Sequence, residues 1–332
     1  MPLPRTAAAI AAGVALLTAL AGCGSGAAGP EGVEGETRTV TGANGEVEVP
    51  ADPQRVVVLW RPTLAAATRL GADVAGTAGD PGGDGGLAPF LPPDADGADL
   101  EIVSTSSAED EIDLEKVGAA GPDLIIGVDT ENGAQAGMLP ELEAIAPTVL
   151  LEWTGTESWR GHLAEVGEVL NRQDEAEQAE QEYADAVAEA RTRIEEAEGD
   201  PAGIEVSLLR LQSAQEVRIE TPASFSGGIA DDIGLARPEA HAEADADRDF
   251  ISESYENLER ADADVLFVMS GSGYPEAPDT FTGGVWSELG AVRDERVYAV
   301  DYDVWGASNH YAALRVVDEM AAALTGETDP AL

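Results

Sequence analysis

Basic side chains are scarce in this chain. Its 332 residues hold 18 Lys and Arg against 64 Asp and Glu, a formal net charge of -46, and Lys116 is the single lysine. A surface of that sign repels phosphate backbones, so no nucleic-acid partner is expected. The acidity is spread along the chain and reads as a solvated surface suited to salty surroundings, where screening relieves self-repulsion. Cysteine is rarer still. Cys23 stands alone, which excludes an intrachain disulfide and a thiolate metal cluster. The three histidines, His162, His241 and His310, are far apart and make no H-E-x-x-H pair. No serine occupies a G-x-S-x-G elbow, and neither Gly227-Gly228 nor Gly283-Gly284 opens a phosphate loop. Carboxylates are too common for any pair to signal glycoside hydrolysis. Asp245, Asp247, Asp249 and Glu256 have the spacing of a calcium loop, but Phe250 stands where its turn demands glycine. An enzyme is not expected, nor a resident metal or cofactor.

What is present begins with an address. Arg5 precedes an apolar run from Ala7 to Ala21, too short to span a bilayer and placed as a signal peptide is placed. The run ends in Leu20-Ala21-Gly22-Cys23, which resembles the lipobox of bacterial lipoproteins. That resemblance implies cleavage before Cys23 and a lipid on its thiol, leaving the protein extracytoplasmic and membrane-tethered. The expected division is a signal peptide over 1–22, a Gly/Ala/Ser/Glu-rich linker over 23–36, and a folded remainder.

That remainder is 44% hydrophobic by the whole-chain count, enough for one large or two medium cores. Thr37 to Val40 and Val47 to Val49 flank Ala43-Asn44-Gly45 as a hairpin. Val56 to Leu59 predicts a buried strand, and Pro62 to Leu70-Gly71 a helix with a first-turn proline and a terminal glycine. Strands at Leu124 to Ile126 and Thr148 to Leu151 then alternate with helices at Leu114 to Ala120 and Leu139 to Ile145. The spacing predicts one helix from Trp159 to Ala197, its face marked by Leu163, Val166, Leu170, Tyr183, Val187, Ala190 and Ile194. Strands recur at Glu205 to Leu211, Val265 to Met269 and Val297 to Val300, and a helix closes the chain from Tyr311 to Leu324. The fold class is α/β: a lobe over 37–158 and another over 200–332, joined by one long helix over 159–199. A rigid connector of that kind should limit hinge closure.

Ordered signposts from about 37 to 324 carry a family resemblance. They are Pro53-Gln54-Arg55-Val56-Val57-Val58-Leu59, Asp113-Leu114-Glu115-Lys116-Val117, Gly121-Pro122-Asp123-Leu124-Ile125-Ile126 and Ala146-Pro147-Thr148. Further on come Ser224-Phe225-Ser226-Gly227, Gly234-Leu235-Ala236-Arg237-Pro238, Asp262-Ala263-Asp264-Val265-Leu266-Phe267, Trp286-Ser287-Glu288-Leu289-Gly290 and Arg296-Val297-Tyr298. The set resembles the FecB-like, class III substrate-binding proteins of siderophore, haem and cobalamin uptake. The resemblance implies two lobes about a shallow cleft and a monomer that docks on a permease dimer driven by a cytoplasmic ATPase. It implies a ferric siderophore as cargo, of hydroxamate type, with iron arriving inside the chelate. Haem or cobalamin cargo, or a non-transport surface role on the same scaffold, are the alternatives.

A wrapped ferric ion calls for arginine or hydroxyl donors toward its oxygens and aromatic faces toward its organic shell. Clefts in open α/β sheets form at strand carboxyl ends. Trp60 and Arg61, Trp153 and Trp305 follow strands there. Arg210 interrupts an apolar strand, where its charge is costly unless a cleft receives it. Tyr274, Phe281 and Trp286 are candidates for the second-lobe wall, while Arg218 reads as surface structure and Ser224-Phe225 as a loop. His310-Tyr311 keeps a haem ligand open. By the resemblance, Glu115 and Glu256 meet arginine pockets on the two permease subunits.

Overall fold

The hairpin expected around Asn44 is the first element. β1 (Thr37–Gly42) and β2 (Gly45–Pro50) pair antiparallel with Gly42 opposite Gly45. Gly45 has a φ of 97°, a backbone shape that suits glycine. The Asn44 side chain accepts from Leu150 N and donates to Thr148 O, clipping the hairpin to the body behind it. The computed structural model describes residues 35–79, 86–95, 97, 99–105, 111–130, 135–211, 213, 216–239, 241, 248–270 and 284–331. Cys23, the segment over 1–22, Tyr274 and Phe281 therefore lie outside the described residues.

The N-terminal lobe is built from β3 (Val56–Val58), α1 (Arg61–Arg69), β4 (Val74–Ala78), β5 (Glu101–Ser104), α2 (Leu114–Ala119), β6 (Leu124–Asp129), α3 (Leu139–Glu143) and β7 (Thr148–Glu152). Its sheet has the order β5-β4-β3-β6-β7 and is parallel throughout. Each central strand is a continuous apolar run, as a sheet covered on both faces requires.

The helical connector is not one rod. It divides into α4 (Trp159–Leu170) and α5 (Gln173–Ala197), with Asn171 between them at φ 58°, ψ 44°. The first helix closes through Asn171 N to Glu168 O and Arg172 N to Gly167 O, a left-handed stop that asparagine tolerates. Gly167 permits the turn, because a Cβ there would stand 2.9 Å from that of Ala176. Buried positions recur at spacings of three and four on each side, and only the step of six from Leu170 to Ala176 marks the break, so the sequence reads as a single helix.

The C-terminal lobe holds β8 (Val206–Leu211), β9 (Glu216–Glu220), α6 (Phe225–Ile233), β10 (Phe250–Ser254), β11 (Val265–Ser270), α7 (Gly290–Arg293), β12 (Val297–Asp301), α8 (Tyr302–Trp305) and α9 (His310–Leu324). The order β10-β9-β8-β11-β12 repeats the first sheet, but β9 runs antiparallel to both neighbours. Too few residues separate Leu211 from Glu216 for a parallel crossover, which needs a dozen or more. Ser224-Phe225 is no loop: Ser224 caps α6 by accepting from Gly227 N.

One core serves both lobes. Val56, Val58, Leu124 and Ile126 of the first sheet share a buried cluster with Val206, Leu208, Phe267 and Met269 of the second. Residues of α1, α4, α5, α6 and α9 fill the space between. A separate cluster covers the other face of each sheet. Hinge opening would expose the shared cluster to water, which opposes large closure.

Candidate functional site

The alternation of β8 explains the position of Arg210. Val206, Leu208 and Arg210 share one face, and the first two are fully buried in the shared core. Arg210 emerges where that core ends. Its Nη1 donates to the Tyr302 hydroxyl at 2.8 Å, and its Nε lies 3.1 Å from a Glu220 carboxylate oxygen. The guanidinium also stands over the rings of Phe250 and Tyr302, at 5.3 Å and 5.2 Å. Burial pushes the Glu220 carboxyl up from the ordinary range, and Arg210 pulls it back.

Arg218, which reads as surface structure in the sequence, belongs to the same wall. β9 pairs it directly with Arg210, and its guanidinium stacks on Phe250 at 4.0 Å. The signal was the period-two pattern of Glu216–Glu220, which buries Val217 and Ile219 on one face and turns Arg218 and Glu220 to the other. Phe250 and Tyr302 gave no comparable signal, since both come to the wall through tertiary pairing. A cavity of about 30 Å³, room for one water, lies among Arg210, Glu220, Asp249, Ser226 and Tyr302.

The N-terminal side is aromatic. Trp60 follows β3 and meets Trp153, which follows β7, edge to face at 5.8 Å. Trp153 in turn meets the buried His162 ring at 5.1 Å. Both tryptophans are part-exposed, and Trp60 Nε1 is buried without a hydrogen-bond partner among the described residues. Arg61 is exposed with its guanidinium 5.0 Å from the Phe90 ring centre. Beyond Trp153 the chain reaches Thr156, which donates to Asp249 and accepts from Phe225 N, so it bridges to the arginine wall. Asn309 makes a second bridge, to Pro89 O. A depression of about 490 Å³ beside Trp153 is lined by Asp129, Thr130 and Glu152. A larger groove, about 740 Å³ between α4 and α5, contains none of the candidate residues.

Other expectations fall away. Trp305 is 1% exposed, stacked near Phe267, with its Nε1 donating to Glu319 at 2.6 Å. It lines the small cavity beside Arg210 from within the core and is almost wholly covered, so it supports the wall rather than presenting an open face. Trp286 is 3% exposed, packed with Tyr255 in the cluster on the opposite face of the second sheet. His310 is buried at the start of α9, 3.0 Å from Glu182, which also pairs with Arg69. Its imidazole helps tie α1, α5 and α9 together, and the Tyr311 hydroxyl lies 3.5 Å from Thr68 Oγ1, so neither ring belongs to the arginine wall.

Glu115 and Glu256 are both exposed, in the first turns of α2 and of the 3-10 helix Tyr255–Ala261. These helices occupy matching places, each between the edge strand β5 or β10 and the inner strand β6 or β11. Asp123 and Asp264 hold matching positions beside them. Asp123 accepts from Gln54 N and Arg55 N, and Asp264 accepts from Glu205 N. Among the described residues no cluster of His, Cys, Asp and Glu could hold a metal ion, and no helix is long and apolar enough to cross a membrane.

Known proteins share this arrangement. The family model described as periplasmic binding protein matches residues 91–304. The probable siderophore-binding lipoprotein YfiY of Bacillus subtilis is 30% identical over 81% of this chain and 82% of its own. The Fe(3+)-citrate-binding protein YfmC of the same organism is 27% identical over 81% of this chain and 80% of its own. A Bacillus subtilis FhuD-fold crystal structure, described as the binding component of a Fep/Fec-like ferrichrome ABC transporter, superposes with a TM-score of 0.71. It is 25% identical, covering 86% of this chain and 99% of that one. With two α/β lobes, a helical connector and relatives matched over most of their length, this chain belongs to the periplasmic binding protein family, in its FecB-like class III branch.

Proposed function

We propose that the protein is the extracytoplasmic binding component of an ABC importer and that its cargo is a ferric siderophore of hydroxamate type. The observation that carries this reading is the arginine wall, with Arg210 set between Glu220, Tyr302 and Phe250 and Arg218 beside it. The guanidinium donors suit the oxygens that already wrap the iron, and Phe250, Tyr302, Trp60 and Trp153 suit the organic shell. The protein then needs no ligand of its own on the metal. The names of its relatives support siderophore cargo in general, and hydroxamate is the finer choice.

The rest of the proposal concerns delivery. The chain acts as a monomer, held to the membrane through lipid on Cys23 and spaced from it by the linker. Glu115 and Glu256 meet a FecCD-like permease dimer with its cytoplasmic ATPase. Passage of protein and a ferric trihydroxamate through a desalting column tests the binding reading. The chelate's visible absorbance is expected to elute with the protein at one per chain. Elution of all the colour with the small molecules rejects it. Cys23→Ser should move the protein out of the detergent phase, and unchanged partitioning rejects the anchor.

A further inference from the structure

The arginines of the wall already have carboxylate partners before cargo arrives. The Glu220 side chain is 7% exposed and sits 3.1 Å from Arg210 Nε. β8 and β9 pair Arg210 with Arg218, so Glu220, two residues on, projects from the same face. Arg218 has Glu216 at 3.7 Å. Arg237, which donates to Glu220 O, has Asp231 at 3.4 Å. Asp249 adds a negative charge to the edge of the wall, and Asp129 and Glu152 add theirs near Trp153. An anion approaching Arg210 therefore gains less than the guanidinium alone would give, and it meets the Asp249 carboxylate at the edge of the wall. An uncharged chelate keeps the donors and avoids the repulsion.

We propose that Glu220 is a specificity-determining residue which, by neutralising Arg210, makes the cleft favour uncharged or cationic ferric chelates over anionic ones. The proposal rests on the siderophore-binding function above. It accounts for chelate chemistry directly: three hydroxamate monoanions cancel the ferric charge, whereas three catecholate dianions leave a trianion. Glu220 acts through Arg210 and need not touch the cargo. The charged and titratable groups facing it are Arg210 on β8, Arg218 on β9, Arg237 after α6, Asp249 before β10 and, through Arg210, Tyr302 on α8. Burial raises its carboxyl, with Asp249 adding and Arg210 and Arg218 opposing, so acidification removes the neutralising charge sooner than it would from an ordinary carboxylate.

A matched series separates charge from shape. The probe is one linear ferric trihydroxamate core with a free terminal amine, with that amine acetylated, and with it succinylated, which makes cationic, neutral and anionic forms. Each is titrated by tryptophan fluorescence against wild type and Glu220→Gln. Wild type is expected to bind the neutral form at least about tenfold more tightly than the anionic one. In Glu220→Gln that ratio should narrow to within about threefold, chiefly by a gain for the anion. In wild type the ratio should also narrow on acidification, and this arm needs no mutant to fold. Equal wild-type affinity for the neutral and anionic forms overturns the proposal. So does a variant that loses all three alike, which is the mark of a structural role. If no form binds wild type at all, the function proposed above fails with it.

Discussion

Arg210 has two proposed duties, and a single substitution removes both. Arg210→Ala removes the donor proposed to meet the cargo, and a charge-assisted hydrogen bond of that kind is worth roughly 1.5–3 kcal/mol. Ferric hydroxamate titrations should weaken by that amount in a variant whose circular dichroism matches wild type, and unchanged affinity would remove Arg210 from the cleft. The substitution also leaves buried Glu220 without its nearest cation, which raises its carboxyl further. His162 supplies a second residue-scale test. Its ring is buried, with Nε2 2.8 Å from Thr63 Oγ1, and burial brings its pKa down to about 4. The folded form thus stays neutral while the unfolded form protonates through about pH 6.5, so stability falls as pH falls from there toward about 4. His162→Gln should show a smaller loss of denaturant stability between neutral pH and the acid end of that window, and an equal loss would contradict the assignment. The exposed charges and strand-end aromatics were visible in the sequence. The fates of Trp286 and Trp305 were not, because a large apolar ring after a strand fits a cleft or a core equally and only tertiary packing decides.

At the scale of elements, most strands and helices announce themselves through apolar runs and terminal proline or glycine, as β6 and α1 do. β9 and β10 do not, since each is short and alternates polar with apolar residues, β10 on the sheet edge and β9 beside it. Asn171 is the clearest miss, a left-handed residue between two helices that each keep their own apolar period. That position can be tested directly. Asn171→Val places a β-branched side chain at φ 58° and removes the hydrogen bond from Asn171 Nδ2 to Ala51 O, so it should destabilise the protein by about 1–2 kcal/mol. Asn171→Gly should leave denaturant stability within about 1 kcal/mol of wild type. A valine variant as stable as the glycine one would show that the break bears no strain.

The molecule as a whole joins a rigid two-lobe frame to matching exposed glutamates on its two α/β units. Because a shared core runs beneath both lobes, recognition of cargo is more readily read out by the filled cleft than by a large closure. Glu115 and Glu256 are exposed in matching elements on the two lobes, so one charge pair on each permease subunit would fix orientation and guide encounter. Glu115→Arg with Glu256→Arg should leave cargo affinity nearly intact and abolish uptake and stimulation of the transporter's ATPase, each single change giving a partial loss. Normal uptake by the folded double variant, in a strain without its native copy, would defeat this docking. The central claim, that the cleft receives a ferric siderophore, is tested most directly by titrating the intrinsic tryptophan fluorescence with a panel of ferric hydroxamate, catecholate and carboxylate chelates, haem and cobalamin. The account predicts saturable quenching at one ferric hydroxamate per chain, with haem and cobalamin inert; saturation by haem or cobalamin with no response to any ferric chelate would contradict it.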